Sequence, residues 1–98
     1  MTVTYHRQVP PEVYENCDYF DSKSSGLGDE FFSELIELIG EIAQLPEKWP
    51  PLREGDSRRK ARLKRFPYVV VYEQRSTYIK ILVVCHQARH PGYGDRRQ

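Results

Sequence analysis

Apolar and polar residues change their period along the chain, and each change marks an element. In "VTYHR", residues 3–7, they alternate weakly, as in a short strand. Pro10 and Pro11 then suit a helix start, where a missing N–H is harmless. Val13, Cys17 and Phe20 follow at i, i+4 and i+7 and line one helical face, with Glu12, Glu15, Asp18 and Asp21 on the wet side. The pattern fades in "SKSSG" and returns more strongly. Phe31, Phe32, Leu35, Leu38, Ile39, Ile42 and Leu45 make a broad apolar stripe. Asp29 and Glu30 sit in its early turns, where they favour the helix dipole. Pro46 ends this second helix, and Gly40 in its middle costs about 1 kcal/mol relative to alanine. Only a few residues join the two helices, so an antiparallel hairpin is expected.

"PEKWPPLREGDS" is a loop by composition, and its Trp49 is expected to fold back as a lid on the core. The remainder reads as β. "RRKARLKRF" alternates, with Ala61 and Leu63 on one face and Lys60, Arg62 and Lys64 on the other. "YVVVYEQ" and "YIKILVVCH" are almost continuous apolar runs joined by "RST", a hairpin turn. Runs of that kind are buried on both faces and belong in the middle of a sheet. The predicted fold class is therefore α+β: a short N-terminal strand, an antiparallel two-helix hairpin, then three antiparallel strands forming a sheet against which the helices pack.

Ninety-eight residues fit one domain, spanning residues 1–98. A chain of this size buries roughly 60–65% of its unfolded surface, enough for a stable fold without much margin. The N-terminus lacks the apolar core of a signal peptide and no apolar run reaches membrane-spanning length, so a cytoplasmic protein without a membrane partner is expected. Cys17 and Cys85 lie far apart on apolar stripes and read as buried, reduced thiols. A metal site from Cys85, His86 and His90 lacks a second ligand-rich segment, so no metal or cofactor is expected.

The net charge of +1 conceals a division. Residues 1–51 hold three Lys/Arg against ten Asp/Glu, a net −7, and residues 52–98 hold twelve against four, a net +8. A basic surface on the second half would attract polyanions or an acidic protein; alternatively, the halves neutralise each other across the fold. Lys60, Arg62 and Lys64 would stand roughly 7 Å apart along a strand, close to the phosphate spacing of a nucleic-acid strand. The same row also serves as a solvated edge that discourages aggregation. Catalytic Asp/Glu pairs, a P-loop, H-E-x-x-H and a glycine-rich dinucleotide motif are all missing, which excludes the enzymes that need them. Metal-independent RNA cleavage remains chemically open, because His86, His90, Tyr93 and nearby arginines could activate a hydroxyl and protonate a leaving oxygen.

"GLGDEFF", then "RRKARLKRFPYVVVYE", then "IKILVVCHQARHPGY" resembles the RelE/ParE superfamily of toxins from bacterial toxin–antitoxin modules. The resemblance runs from about Val3 to Arg96 and is most specific at "RFPYVVVYE" followed, one strand later, by H-x-x-R-x-P. It implies a compact toxin of the element order above, neutralised by a cognate antitoxin whose extended or helical segment wraps it. The basic β half would suit an acidic antitoxin.

The superfamily's two branches differ in mechanism. The RelE-like branch is a ribosome-dependent endoribonuclease that cleaves messenger RNA, and Lys60 and Arg62 match its basic sheet positions while Tyr93 lies near its tail position. Val69, however, stands where that branch has an arginine after the tyrosine, and Ala88 replaces the first arginine of its H-x-R-R pattern. The ParE-like branch poisons DNA gyrase and needs no nuclease site. The F-P-Y-x-x-x-Y style and the missing cleavage arginines favour it, although Gly94 stands where many relatives carry a tryptophan. The resemblance thus implies a gyrase inhibitor, with the endoribonuclease and a non-toxic antitoxin-binding module as alternatives. Target or antitoxin contacts are expected at Lys60, Arg62, Lys64, His86, Arg89, Tyr93 and Arg96; a nuclease would use Lys60, Arg62, His90 and Tyr93. Arg97 and Gln98 are expected to fray. Sheet edges and the helical hairpin also offer surfaces for a homo-oligomer.

Overall fold

The computed structural model describes residues 1–98. Strand β1 (Thr2–Tyr5) leads into helices α1 (Val9–Lys23) and α2 (Leu27–Gln44), followed by strands β2 (Arg58–Arg62), β3 (Tyr68–Arg75) and β4 (Tyr78–His86). The strand order is β1-β4-β3-β2, so the two apolar runs occupy the middle of the sheet as expected. β2, β3 and β4 are antiparallel, and β1 adds a parallel edge beside β4, making the sheet mixed.

α1 starts at Val9, with Pro10 and Pro11 as its second and third residues, and its Gln8 cap makes no side-chain hydrogen bond. The first turn is therefore poor in its own backbone bonds; the Glu12 N–H donates to the Gln8 carbonyl at a long 3.4 Å. α2 begins after Gly26, whose φ of 86° few other residues adopt. The helices meet at Gly28, where a Cβ would lie 2.4 Å from the Cys17 carbonyl oxygen. The Gly28 N–H donates to the Asp21 carboxylate at 2.8 Å.

The helices cover one face of the sheet. Val9, Val13, Phe31, Leu35, Ile39 and Ile42 pack there against Val70, Tyr72, Ile79, Ile81 and Val84. Phe20, Phe31, Phe66 and Tyr68 form an aromatic cluster with centroids 4.9–5.7 Å apart. Trp49 packs edge-on against Tyr72, whose hydroxyl donates to the Pro46 carbonyl at 2.6 Å. That placement closes the core as the sequence leads one to expect. Two members of the predicted α2 stripe, Phe32 and Leu45, are instead exposed. With Tyr5, Tyr14 and Ile36 they leave uncovered apolar surface, much of it along a groove between α1 and α2.

Two departures shape the other sheet face. β2 stops at Arg62, and the chain then turns through residues 63–67, so Lys64 leaves the strand. The Glu34 carboxylate of α2 accepts the Lys64 and Arg65 N–H groups there, at 2.7 and 3.1 Å. In β4, the register slips where Val71 faces Val83 and Tyr72 faces Ile81, which leaves Leu82 as an extra, bulged residue. The bulge turns Leu82 and Val83 toward the face opposite the helices, where they form a small cluster with Val71.

Candidate functional site: the sheet face and the tail strapped over it

The C-terminal segment, residues 87–98, crosses the outer face of the sheet as a series of turns. Tyr93 packs on the cluster of Val71, Leu82 and Val83. Gly94, with φ 77°, passes so close to β4 that a Cβ would lie 2.4 Å from a Val83 methyl. On one side Arg53 donates to the Pro91 carbonyl at 3.2 Å and pairs with Asp95 at 3.1 Å. Arg58 donates to the Asp95 carbonyl at 3.2 Å while pairing with Asp56 at 2.8 Å.

The other side is held by α1. Arg97 donates to both carboxylate oxygens of Glu12, at 2.9 and 2.7 Å, and its side chain is only 8% exposed. It also donates to the Leu82 carbonyl at 3.0 Å, supplying a partner to the bulged residue. The Tyr93 hydroxyl donates to the same Glu12 carboxylate. The Arg89 and Arg97 guanidiniums lie 4.6 and 5.1 Å from the Tyr93 ring centroid, a cation–π arrangement. Arg97 is therefore ordered rather than frayed, and Glu12 faces the tail rather than water. Gln98 is also tied down, since Lys80 donates to its carbonyl at 2.5 Å.

These contacts set the local ionisation. Burial alone would raise the Glu12 pKa, but hydrogen bonds from Arg97 and Tyr93 and the charges of Arg97 and Arg89 outweigh it and hold the carboxyl below its usual 4.5. The bond to Glu12, helped by burial, raises the Tyr93 phenol above its usual 10.0. Burial likewise raises the Cys85 thiol. Neither group is poised as a nucleophile or a base near neutral pH.

Lys60, His86, Arg89, His90 and Tyr93 line one cavity of about 80 Å³, floored by Val69, Val71, Val83 and Cys85. Asp95 at its rim is paired with Arg53 and Arg58, and Lys60 and Arg89 have no such partner. Arg62 and Lys64 do not join this group. They line a separate depression with Glu34, Glu37 and Glu41 of α2, so the expected row of three cations is divided by the end of β2. Arg96 is exposed beside His6, Arg7 and Gln8, around the tail from the cavity.

The histidines are engaged in turns. His86 accepts the Ala88 N–H at Nδ1 (3.0 Å), with its ring edge-on to Tyr68, and His90 accepts the Gly92 N–H at 3.1 Å. No group of three His, Cys, Asp or Glu converges closely enough to hold a metal ion. Cys17 and Cys85 are free thiols, half-buried rather than fully buried. No helix is long and apolar enough to cross a membrane. Sequence reasoning missed Glu12 and Arg97; the only signal for them was the arginine density of the tail.

A helical hairpin on one face of a mixed sheet, with a cationic tail strapped across the other, defines a small α+β protein whose outer sheet face is basic and partly apolar. The family model for the ParE toxin of the type II toxin–antitoxin system parDE matches residues 10–91, and the chain belongs to that family. A solved chain described as a chromosomal ParDE toxin–antitoxin system from P. aeruginosa shares the fold, with a TM-score of 0.76 at 14% identity over 88% of this chain and 95% of that one. A comparison with curated proteins finds no match.

Proposed function

We propose that the protein is a cytoplasmic toxin that inhibits DNA gyrase by binding it through the tail and the outer sheet face, and that a cognate antitoxin neutralises it. The observation that carries this reading over a nuclease is the state of Tyr93. Its hydroxyl is donated to Glu12 and its phenol is shifted upward, away from acid–base work at neutral pH. Arg62, a second residue a nuclease would use, lies in a different depression from Lys60. What the cavity offers is two unpaired cations beside an apolar floor, which suits recognition of an acidic surface.

The antitoxin has two surfaces to use. An acidic segment would complement Lys60, Arg89 and Arg96. The apolar groove of Tyr5, Val9, Val13, Phe32, Leu35 and Ile36 would take the apolar face of an antitoxin helix. ParDE membership of the structural relative supports a partner of that kind.

The deciding experiment is a pulse-labelling time course after induction, with a supercoiling assay on purified protein beside it. The expected result is that DNA synthesis fails first, and that the protein stops gyrase supercoiling while transcripts stay intact. Early failure of protein synthesis with mapped cuts in messenger RNA would establish the ribonuclease instead. Harmless expression of folded protein would leave the antitoxin-binding module.

A further inference from the structure

We propose that Glu12 is a positioning residue for the tail: a clasp on α1 decides where Arg89, Tyr93 and Arg96 stand, and so governs the activity of that surface. The proposal rests on the reading that the tail carries function, and deepens it by naming what holds the tail in its working position.

Three observations carry it. First, Glu12 gathers the tail's two anchors on the α1 side, accepting two hydrogen bonds from Arg97 and one from Tyr93. The interaction spans 85 residues of sequence, so it ties the first turns of the helical hairpin to the last residues of the chain. Second, the ion pair is largely withdrawn from water, with the two side chains 8% and 24% exposed. Removing one partner would leave the other as a buried, uncompensated charge. Arg97 sits in a segment of turns outside the helices and strands, so it can escape that penalty by swinging into solvent and taking the tail with it. The core has no such need to change. Third, the anchor can itself be moved. Two prolines and an uncapped start leave the first turn of α1 with little backbone bonding of its own, and Val9 and Val13, on either side of Glu12, line the apolar groove.

The clasp thus joins two surfaces. One side of α1 faces the groove and the other holds the tail. Loss of Glu12 is expected to free Tyr93 and Arg97 together, lift Gly94 from Val83 and expose the strip formed by Val71, Leu82 and Val83. The cations of the tail would remain but no longer be held in place.

The test compares wild type with Glu12→Ala, Glu12→Gln and Arg97→Gln, using Asp18→Ala on an exposed position of the same helix as control. Amide hydrogen exchange is read separately for the tail, at Tyr93, Asp95 and Arg97, and for β3 and β4, together with growth inhibition on induction. Expected for Glu12→Ala and Arg97→Gln is tail exchange faster by about tenfold or more, protection of β3 and β4 unchanged, and inhibition lost in parallel. Glu12→Gln, which keeps an acceptor for Tyr93, should fall between. Unchanged tail exchange in both variants would overturn the proposal, and so would a freed tail with full inhibition. Should the Glu12 variants fail to fold, Arg97→Gln, which alters no helix, decides the matter. If wild type itself does not arrest growth, the toxin reading fails, and tail exchange alone then judges the clasp.

Discussion

The Gly94 backbone lies against the Val83 side chain with no space for even a methyl group between them: a Cβ on Gly94 would stand 2.4 Å from Val83 Cγ2. Its φ of 77° adds a second constraint, since a side chain there meets the following carbonyl. A bulky side chain after the tyrosine has no room in this tail path. Glycine at this position is what lets the strap lie flat on β4.

Gly94→Ala should therefore lift the tail. The strain is expected to cost about 1–2 kcal/mol locally, expressed as faster exchange at Tyr93 and Arg97 with little change in the melting temperature of the sheet. An equal loss of protection across β3 and β4 would show that the strap is part of the cooperative core instead.

The two groups of cations separated by the end of β2 should behave differently. Lys60→Ala and Arg89→Ala each remove an unpaired charge from the outer cavity, and each is expected to weaken growth inhibition by roughly tenfold, as a moderate interface hot spot does. Arg62→Ala and Lys64→Ala act in the depression beside Glu34, Glu37 and Glu41 and should leave inhibition nearly intact. Dose–response curves from a titratable promoter, with circular dichroism to confirm folding, would separate the pairs. Equal effects from all four would mean that the target covers the β2 edge as well.

Glu12 gives the tail a defined acid response. Its folded pKa lies below the usual 4.5, so the clasp stabilises the folded tail fully above that value and is lost as pH falls through the lowered one. The tail should stay ordered at pH 5 and loosen below about 4.5. An NMR titration following the Tyr93 and Arg97 amides from pH 6 to pH 2 reads this directly. Arg97→Gln should weaken the transition, because the hydrogen bonds and charge of Arg97 are gone and only Tyr93 and Arg89 still lower the pKa. A transition that persists unchanged in that variant would assign it to another carboxylate.

Much of the architecture was legible because periodicity reports burial. The i, i+4, i+7 spacing of Val13, Cys17 and Phe20 and the apolar runs of β3 and β4 placed both helices and the central strands. What escaped has physical reasons. The alternation of "RRKARLKRF" continues past Arg62, but the chain turns there and Glu34 accepts its N–H groups from another element. The bulge at Leu82 is invisible in a run where every residue is apolar. Glu12 looks like any carboxylate on a wet helical face, because a period describes one element and its partner lies at the opposite end of the chain. Lys60, His86, Arg89, His90 and Tyr93 were all named from the sequence; their convergence on one cavity, and the departure of Arg62 and Lys64 from it, depend on tertiary placement.

Gly28 and Gly40 show the same limit within one helix. Both lie in α2, Gly28 in its first turn and Gly40 in its interior. Their surroundings are opposite. A Cβ at Gly40 meets nothing within 4 Å, so Gly40→Ala should stabilise the protein by roughly 0.5–1 kcal/mol through propensity alone. A Cβ at Gly28 would meet the Cys17 carbonyl at 2.4 Å and the Asp21 carboxylate at 2.8 Å, where α1 and α2 approach too closely for a side chain. The carbonyl is backbone and cannot rotate away, so Gly28→Ala must push the helices apart, at a cost of about 1–3 kcal/mol. Urea unfolding of the two variants beside wild type should move the midpoints in opposite directions. If both rise, the hairpin can open at Gly28 without loss, and its close approach contributes nothing to stability.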